Sequence, residues 1–277
     1  MKAGATPPLR IVVLGYIIRG PIGGMAWHHL NYVLGLKELG HEVLFLEDSD
    51  DHETCYNPED HSITTDPGVG LAFAEQAFRR LGHGDGWCYF DAHSGQWHGP
   101  AAARAVAFCR GADLVLNISG VNPLRDWTRG IPVRVLIDTD PLFTQVRHLQ
   151  EPGRVAFARA HNRHFTFGEN IPAGRSLVPD DGFAWRPTRQ PVSLAAWSRM
   201  APARDGAWTT VMQWDSYATR QHGGIDYGMK SRSFTPYMDL PKATGAAMAL
   251  AIGGEAAPRE DLRAQGWQID DPMAVTR

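Results

Sequence analysis

The sequence predicts an α/β fold built on a parallel β-sheet with helices over both of its faces. Two observations predict it. Short runs of β-branched and leucine residues recur along the chain, and segments with helical character, several of them ended by glycine, separate these runs. Parallel sheets are buried on both sides, so their strands are expected to be nearly continuous apolar runs of this kind. The length of 277 residues allows one large domain or two modest ones.

The beginning of the chain shows the repeating unit most clearly. Residues 10–16 (RIVVLGY) form a β-branched run, and residues 20–24 (GPIGG) supply a turn. A helix is predicted over residues 25–39, because apolar residues recur on one face and Gly40 ends it. Residues 42–46 (EVLFL) are predicted as a second strand, which completes the strand, loop, helix and strand of a βαβ unit.

The alternation continues to about residue 170. A polar stretch over residues 48–66 is predicted to be an exposed loop. The further helices are predicted over residues 69–81 and 100–109, and the further strands over residues 87–91, 113–118, 132–137 and 164–167. Polar or glycine residues follow several of these strands, as they do where strand ends line a cleft in α/β folds.

A domain boundary is predicted in the stretch rich in Pro, Arg and Trp that follows. We expect an N-terminal Rossmann-like domain over residues 1–175, a linker or crossing segment over residues 176–205 and a second Rossmann-like unit over residues 206–277. In that second unit the predicted strands are residues 208–214, 245–252 and 267–269, and the predicted helices are residues 231–240 and 258–265. Only about 70 residues follow the boundary, so the second domain is expected to be incomplete.

Composition narrows the class of protein. Lys and Arg total 27 against 30 Asp and Glu, so no global positive field favours nucleic acid, and we expect no nucleic-acid partner. Cys55, Cys88 and Cys109 form no CxxC pair, which argues against a disulfide framework and a cysteine-built zinc site. No apolar run is long enough to cross a bilayer. A cytoplasmic location is predicted, and any membrane attachment would be peripheral.

One segment resembles a known family. Residues 15–48 (GYIIRGPIGGMAWHHLNYVLGLKELGHEVLFLED) lead from a strand through a loop with Pro21 and Gly23-Gly24 into a helix, and then through Gly40-His41-Glu42-Val43 into the next strand. Over residues 10–47 this resembles the opening of glycosyltransferases with two Rossmann-like domains, the GT-B architecture. The family's acidic donor motif has no counterpart before Arg277, which agrees with an incomplete second domain.

The resemblance implies a function. It implies a glycosyltransferase of the hexosyltransferase type, which moves a sugar from a nucleotide diphosphate sugar to an acceptor of unknown identity. The acceptor would lie in the N-terminal half and the donor mainly in the C-terminal half. The nucleotide sugar would be a substrate, so no cofactor and no protein-bound metal are expected.

Gly23 and Gly24 are candidate donor-binding residues. Glycine lets bare backbone approach a bulky ligand, and the N–H groups of the following helix start favour a phosphate or a developing anion. The alternative is a tight strand-to-helix turn that binds nothing. The fingerprint GxGxxG is absent after the first strand, which disfavours an NAD or FAD site.

His28 is a candidate catalytic residue. An unperturbed histidine pKa of about 6.5 suits a general base that accepts a proton from an acceptor hydroxyl near neutral pH. Inverting members of the resembled family place a histidine near this first loop. The neighbouring His29 lies on the inward stripe of the helix and is predicted to pack in the core.

Asp138 and Asp140 flank Thr139 at the end of a predicted strand, and strand alternation puts both on one side of the chain. Such a pair can bind a metal, orient sugar hydroxyls or share a proton. We expect Asp140 to cap a helix that begins at Pro141, and Asp138 remains a candidate catalytic residue.

The remaining candidates are predicted to bind substrate. Glu169 and Asn170 follow the last strand of the first half and could hold sugar hydroxyls, although a simple turn explains them equally well. Lys230 stands at a predicted helix start, where a bound anion would offset its unfavourable interaction with the helix dipole. In the resembled family a basic residue at about this place binds the donor diphosphate.

Other functions remain open at this point. A nucleotide-sugar epimerase of the same architecture would need carboxylate acids and bases in the cleft. A non-catalytic module that binds nucleotides or sugars would agree with the short second unit.

Overall fold

The protein is described by a computed structural model that covers residues 7–52, 54–197, 206–215 and 218–276. The chain divides into two compact units, Met1–Ser198 and Arg199–Arg277. Each contains a parallel sheet with helices, so the predicted α/β fold class, a large parallel sheet followed by a smaller one, is confirmed.

The first unit is built on an eight-stranded sheet, accompanied by a short two-stranded hairpin. The strands of the sheet and hairpin are β1 (Arg10–Leu14), β2 (Glu42–Asp48), β3 (Cys55–Tyr56), β4 (Ile63–Thr64), β5 (Trp87–Asp91), β6 (Gln96–His98), β7 (Leu114–Ile118), β8 (Val133–Asp138), β9 (Arg163–Thr166) and β10 (Arg186–Pro187). The α-helices are α1 (Gly23–Glu38), α2 (Gly68–Arg80), α3 (Ala105–Arg110), α4 (Asp126–Arg129), α5 (Phe143–Gln150) and α6 (Pro152–Arg159).

The strand order places a switch point in the middle of the sheet. The order is β10-β9-β8-β7-β1-β2-β5-β6, and every neighbouring pair is parallel except β5 with β6. From β1 the chain proceeds to β2 on one side, and it later returns to place β7 on the other. Ligands of open α/β sheets bind outside the carboxyl ends of the strands at such a reversal. The fold therefore directs attention to the loops that follow β1 and β7.

Two apolar layers bury the two faces of the sheet. Ile11 and Val13 of β1 belong to the layer that also contains residues of α1 and α2, whereas Val12 and Leu14 belong to the layer with α3. Because successive side chains of a strand point to opposite faces, both layers require apolar residues. This is why β1 has no polar residue after Arg10.

Two segments of the first unit differ from their predictions. The predicted exposed loop over residues 48–66 contains the antiparallel hairpin of β3 and β4. Within the predicted linker, β10 pairs in parallel with β9, and residues 190–197 contact α1. Neither pairing has a local sequence signature, because β3, β4 and β10 are each only two residues long and depend on tertiary contacts.

The second unit contains a three-stranded parallel sheet of order β11-β14-β15 and a separate hairpin of β12 and β13. Its strands and α-helices are β11 (Trp208–Gln213), β12 (Arg220–His222), β13 (Ile225–Tyr227), α7 (Lys230–Ser233), α8 (Leu240–Thr244), β14 (Met248–Gly253), α9 (Arg259–Ala264), β15 (Gln268–Asp270) and α10 (Pro272–Thr276). The predicted helix over residues 231–240 is broken into short turns, since Pro236 lacks the N–H that a continuous helix needs. Gly223 and Gly224 form the hairpin turn between β12 and β13, both with positive φ.

Within the described ranges, no helix combines the length and the apolar character needed to cross a membrane.

Candidate functional site

A buried carboxylate fixes the loop that follows β1. Glu47, near the end of β2, is fully buried and accepts hydrogen bonds from three successive backbone amides, those of Ile17 (2.5 Å), Ile18 (2.7 Å) and Arg19 (2.8 Å). Successive amides that converge on one anion form a nest. The loop between β1 and α1 therefore follows a defined path across the carboxyl edge of the sheet.

Arg19 and Asn122 join this loop to its neighbours. The Arg19 guanidinium is buried and donates to Glu47 at 3.2 Å and to the Asn122 side chain at 3.4 Å. Burial raises the pKa of Glu47, and the Arg19 guanidinium opposes that rise. Asn122 also donates to the Gly15 carbonyl oxygen at 2.8 Å and accepts the Asp48 amide at 2.9 Å. The loops after β1 and β7 and the end of β2 are thus held together at the switch point.

α1 begins beside this point without a side-chain cap. Ile22 occupies the N-cap position, and the first turn contains no acidic residue. Gly24 is exposed, and a Cβ atom placed on it would meet no atom within 4 Å. Neither Gly23 nor Gly24 adopts positive φ. The first amides of a helix lack intrahelical acceptors and favour an anion. The open surface at Gly24 is compatible with the predicted ligand role of these glycines, which stays a prediction.

His28 lies one turn further along α1 and faces the hydroxyl group of Ser119, which in turn contacts that of Thr139. Its Nε2 is 3.4 Å from Ser119 Oγ, and Ser119 Oγ is 2.6 Å from Thr139 Oγ1. Ser119 directly follows β7 and Thr139 directly follows β8, two neighbouring parallel strands in which Ile118 pairs with Ile137. The fold therefore brings one imidazole and two hydroxyls together at the carboxyl edge of the sheet.

The histidine pair in α1 consists of two differently buried rings. His28 is half-buried, and burial lowers its pKa, whereas the Gln190 side chain opposes that change. A neutral imidazole is the form that accepts a proton. His29 is fully buried and its Nδ1 lies 2.9 Å from the Met25 carbonyl oxygen, which agrees with its predicted place in the core. Burial lowers the pKa of His29 to about 3.

Asp138 is surrounded by donors from its own unit. The carboxyl group is buried, and each oxygen accepts two hydrogen bonds. Oδ1 accepts hydrogen bonds from the Asp140 backbone amide (3.0 Å) and the Thr144 hydroxyl (2.7 Å). Oδ2 accepts hydrogen bonds from the Gln145 side-chain amide (3.0 Å) and the Thr166 hydroxyl (2.8 Å). These bonds tie β8, β9 and the start of α5 together. A carboxylate with this set of partners suits a structural anchor better than the catalytic role considered from the sequence.

The expected cap at Asp140 is absent from the described structure. α5 begins at Phe143, with Leu142 in the N-cap position, and the Gln145 side chain accepts the Leu142 backbone amide at 2.6 Å. The hydroxyl of Thr144 in its first turn instead donates to Asp138, as described above. The Asp140 side chain is half-buried, and burial raises its pKa, with Arg147 acting in the opposite direction.

The other candidates lie further out. Glu169 and Asn170 follow β9 and are exposed. Glu169 forms a two-pronged ion pair with Arg189, which lowers the pKa of the carboxyl group. Lys230 belongs to the second unit, where it is exposed at the start of the four-residue helix α7. His28, Asp138, Glu169 and Asn170 therefore share one edge of the first sheet, and their roles stay predictions.

The pocket that reaches Ser119 is small, whereas one of about 390 Å³ is lined by residues of the segment between β9 and β10, among them Ile171 and Trp185. A pocket with a cavity volume of about 60 Å³ reaches Ser119, Gly120 and Arg147. It has room for a few water molecules and is well below the roughly 300–1,000 Å³ of small-molecule sites. A larger pocket of about 620 Å³, lined in part by Trp87 and His98, lies at the start of β5. Because α/β sheets bind ligands at the carboxyl ends of their strands, we place the candidate site at His28.

Metal ligands are not clustered in the described part of the chain, where no group of three or more His, Cys, Asp or Glu side chains is placed to hold an ion.

Sequence reasoning missed several residues of this edge. Ser119 directly follows the predicted strand over residues 113–118, and Thr139 lies two residues after the one over residues 132–137, so their position was a usable signal, but a serine or a threonine alone did not mark a site. Glu47 lies between the predicted strand over residues 42–46 and the predicted loop over residues 48–66 and was not selected. Gln190 donates to the His28 carbonyl oxygen at 3.0 Å across 162 positions of sequence, a contact that no local pattern announces.

Comparisons with known proteins show that this chain is similar to solved structures in fold only. No protein-family model and no curated protein matches the chain. Similar solved structures include an alpha-glucosyltransferase in complex with UDP-glucose and DNA containing an abasic site, at 11% identity and a TM-score of 0.48 over 94% of this chain and 61% of that one. Another is an alpha-glucosyltransferase (AGT) in complex with UDP, at 12% identity and a TM-score of 0.44 over 93% and 62%. A third is the glycotransferase of kitacinnamycin, at 14% identity and a TM-score of 0.34 over 95% and 71%. The chain spans about 60% of the length of the alpha-glucosyltransferases.

One prediction is corrected by these structures. The net charge of −3 led us to exclude nucleic acid as a partner, yet several of the similar glycosyltransferase structures hold DNA as well as UDP. The exclusion is wrong, because net charge averages over the whole surface and does not describe one local face of it.

Proposed function

We propose that this chain is a glycosyltransferase that moves a sugar from a nucleoside diphosphate sugar to a hydroxyl group of an acceptor. The observation that carries the proposal is the placement of His28. Its half-buried imidazole lies at the switch point of a parallel sheet, with Nε2 facing the Ser119 hydroxyl group. The resemblance of residues 10–47 to GT-B glycosyltransferases supports the choice of reaction.

His28 is assigned the role of general base. Burial keeps its imidazole neutral near neutral pH, so Nε2 can accept the proton of an acceptor hydroxyl as that oxygen attacks the anomeric carbon. The bond from the sugar to the diphosphate breaks, and the diphosphate leaves with its electron pair. Gly23 and Gly24 at the uncapped start of α1 are proposed to favour this developing negative charge.

The other predicted residues take supporting parts. Glu169 and Asn170 are proposed to bind sugar hydroxyls from the end of β9, and Lys230 is proposed to bind the donor diphosphate from the second unit. Asp138 is proposed to anchor the site, since all of its described hydrogen bonds go to its own unit. A nucleotide sugar is the substrate in this proposal, and no cofactor is assigned.

A transfer assay tests the proposal. The full chain is incubated with UDP-glucose and other nucleoside diphosphate sugars, each with a panel of hydroxyl acceptors that includes DNA, and released nucleoside diphosphate and modified acceptor are both measured. The His28→Gln variant should lower kcat by roughly 10²- to 10⁴-fold, the usual contribution of a general base. The exposed His52 provides a matched control, and His52→Gln should retain full activity.

Three outcomes contradict the proposal. Binding of the nucleotide sugar without turnover would favour the non-catalytic module, and inversion of a sugar hydroxyl in the absence of acceptor would favour the epimerase. Full activity of the His28→Gln variant would show that His28 is not the general base.

A further inference from the structure

The turn after β7 holds a serine in a conformation that serine rarely adopts. Ser119 has φ of 61°, and Gly120 follows with φ of 59°. The left-handed region costs a residue other than glycine roughly 1 kcal/mol or more, so it persists only where the surroundings hold it. Here the Ser119 amide donates to the Ile137 carbonyl oxygen at 2.9 Å, and the side chain is held by Thr139 and His28.

We propose that Ser119 is a positioning residue for His28. Thr139 donates its hydroxyl hydrogen to Ser119 Oγ, and Ser119 donates its own to His28 Nε2, so the single hydrogen of the neutral ring stays on Nδ1. This places the unprotonated nitrogen towards the carboxyl edge of the sheet. The inference deepens the proposed function and rests on it where it concerns transfer.

The distances allow this direction of donation. Two hydroxyl oxygens 2.6 Å apart must share a hydrogen, and a neutral imidazole has one donor and one acceptor nitrogen. The 3.4 Å between Ser119 Oγ and Nε2 is long for a hydrogen bond, so an acceptor hydroxyl can compete for that nitrogen.

The other rings around His28 fix its plane rather than its tautomer. His29, Tyr32 and Phe167 contact it edge-on, with ring centroids 4.7, 6.3 and 6.2 Å away. Of these, only His29 and Tyr32 titrate. Burial lowers the pKa of His29 to about 3 and raises that of Tyr32, so both stay neutral near neutral pH. Ser119, whose Oγ lies 3.4 Å from Nε2, is therefore a group whose loss should change the hydrogen position on His28.

Nitrogen NMR of the full chain tests the proposal without any substrate. The ring signals of His28 are assigned by their disappearance in the His28→Gln variant. In the unmodified chain Nε2 should have the shift of an unprotonated nitrogen and Nδ1 that of a protonated one. Ser119→Gly removes the hydroxyl while it tolerates positive φ, and the two signals should then move towards each other as the tautomers mix. Thr139→Val should shift them in the same direction by a smaller amount, and the exposed Ser176→Gly should leave them unchanged.

A protonated Nε2 in the unmodified chain, or unchanged His28 signals in both Ser119→Gly and Thr139→Val, overturns the proposal. In the transfer assay, Ser119→Gly should lower kcat by about tenfold and leave KM within about twofold, because a misplaced base affects the chemical step. The two proposals fail separately. If Ser119→Gly changes the His28 tautomer but the unmodified chain shows no transfer activity, the transferase proposal is rejected and the positioning role is retained. If the unmodified chain transfers sugar but Ser119→Gly leaves the tautomer unchanged, the positioning role is rejected and the transferase proposal is retained.

Discussion

Mild acid should destabilise the first unit through three buried histidines. His29, His83 and His161 are each at most 5% exposed. Burial lowers the pKa of His29 to about 3 and those of His83 and His161 to about 4. Hydrogen bonds fix the neutral form as well. Lys37 lies 2.8 Å from Nδ1 of His83 and can only donate to it, and the Asn117 amide faces Nε2 of His161 at 3.1 Å.

The sign and the size of the effect follow from proton linkage. The folded-state pKa values lie below the unfolded value of about 6.5, so the unfolded chain binds more protons as the pH falls. The stabilisation is fully present above about pH 6.5 and is lost as the pH falls towards 4 and then 3. Between about pH 7.5 and about pH 5, each histidine should lower the free energy of unfolding by roughly 2 kcal/mol, and the three together by about 6 kcal/mol. That is comparable to the entire stability of a typical domain, about 5–15 kcal/mol.

Urea denaturation at a series of pH values measures this loss, with histidine variants to separate it from the titration of carboxylates. The His161→Gln variant keeps an acceptor for Asn117 and should reduce the excess proton uptake on unfolding by about one proton near pH 5. The exposed His52→Gln variant should leave the uptake unchanged. Equal pH slopes for the unmodified chain and His161→Gln would refute the reasoning.

Three further changes test the packing and the anchors around the site. Gly70→Ala in α2 places a Cβ atom 1.8 Å from the Ile18 carbonyl oxygen and should lower the free energy of unfolding by about 3 kcal/mol. Gly24→Ala meets open space and should change that free energy by less than about 1 kcal/mol. Equal effects of the two variants in urea denaturation would contradict this description of the loop. Glu47→Gln leaves the Arg19 guanidinium buried without its partner charge and should lower the free energy of unfolding by about 3–5 kcal/mol. Thermal or urea unfolding measures this loss, and an unchanged free energy of unfolding would show that the pair is not buried. Asp138→Asn replaces one doubly accepting oxygen by a donor and should cost about 1–3 kcal/mol, and a loss of transfer activity at full stability would instead make Asp138 catalytic.

The parallel sheet could be predicted from sequence because its signals are local. The run over residues 10–16, the helix stop at Gly40 and the strand over residues 42–46 need no distant partner to be recognised. The short hairpin of β3 and β4 and the pairing of β10 with β9 could not be predicted in this way, because their stability comes from tertiary contacts. Pro236 was a usable signal within the predicted helix over residues 231–240 and was overlooked.

The candidate site was predictable in position but not in detail. His28 and Asp138 were selected from strand and helix ends, and the structure places both at the carboxyl edge of the first sheet. The alternation of Asp138 and Asp140 could not reveal that four donors converge on Asp138. The hydroxyls of Ser119 and Thr139 meet only because β7 and β8 are neighbours in register, which is a property of the sheet order.

The central claim is that the edge of the sheet around Gly23, Gly24 and His28 binds a nucleotide sugar. A titration of the ¹⁵N-labelled full chain with UDP-glucose, followed by backbone amide and His28 ring shifts, tests it most directly. We expect the largest saturable changes at the Gly23 and Gly24 amides and at the His28 ring. Saturable changes confined to the larger pocket beside Trp87 and His98, or no saturable change at any nucleotide sugar concentration, would contradict the claim.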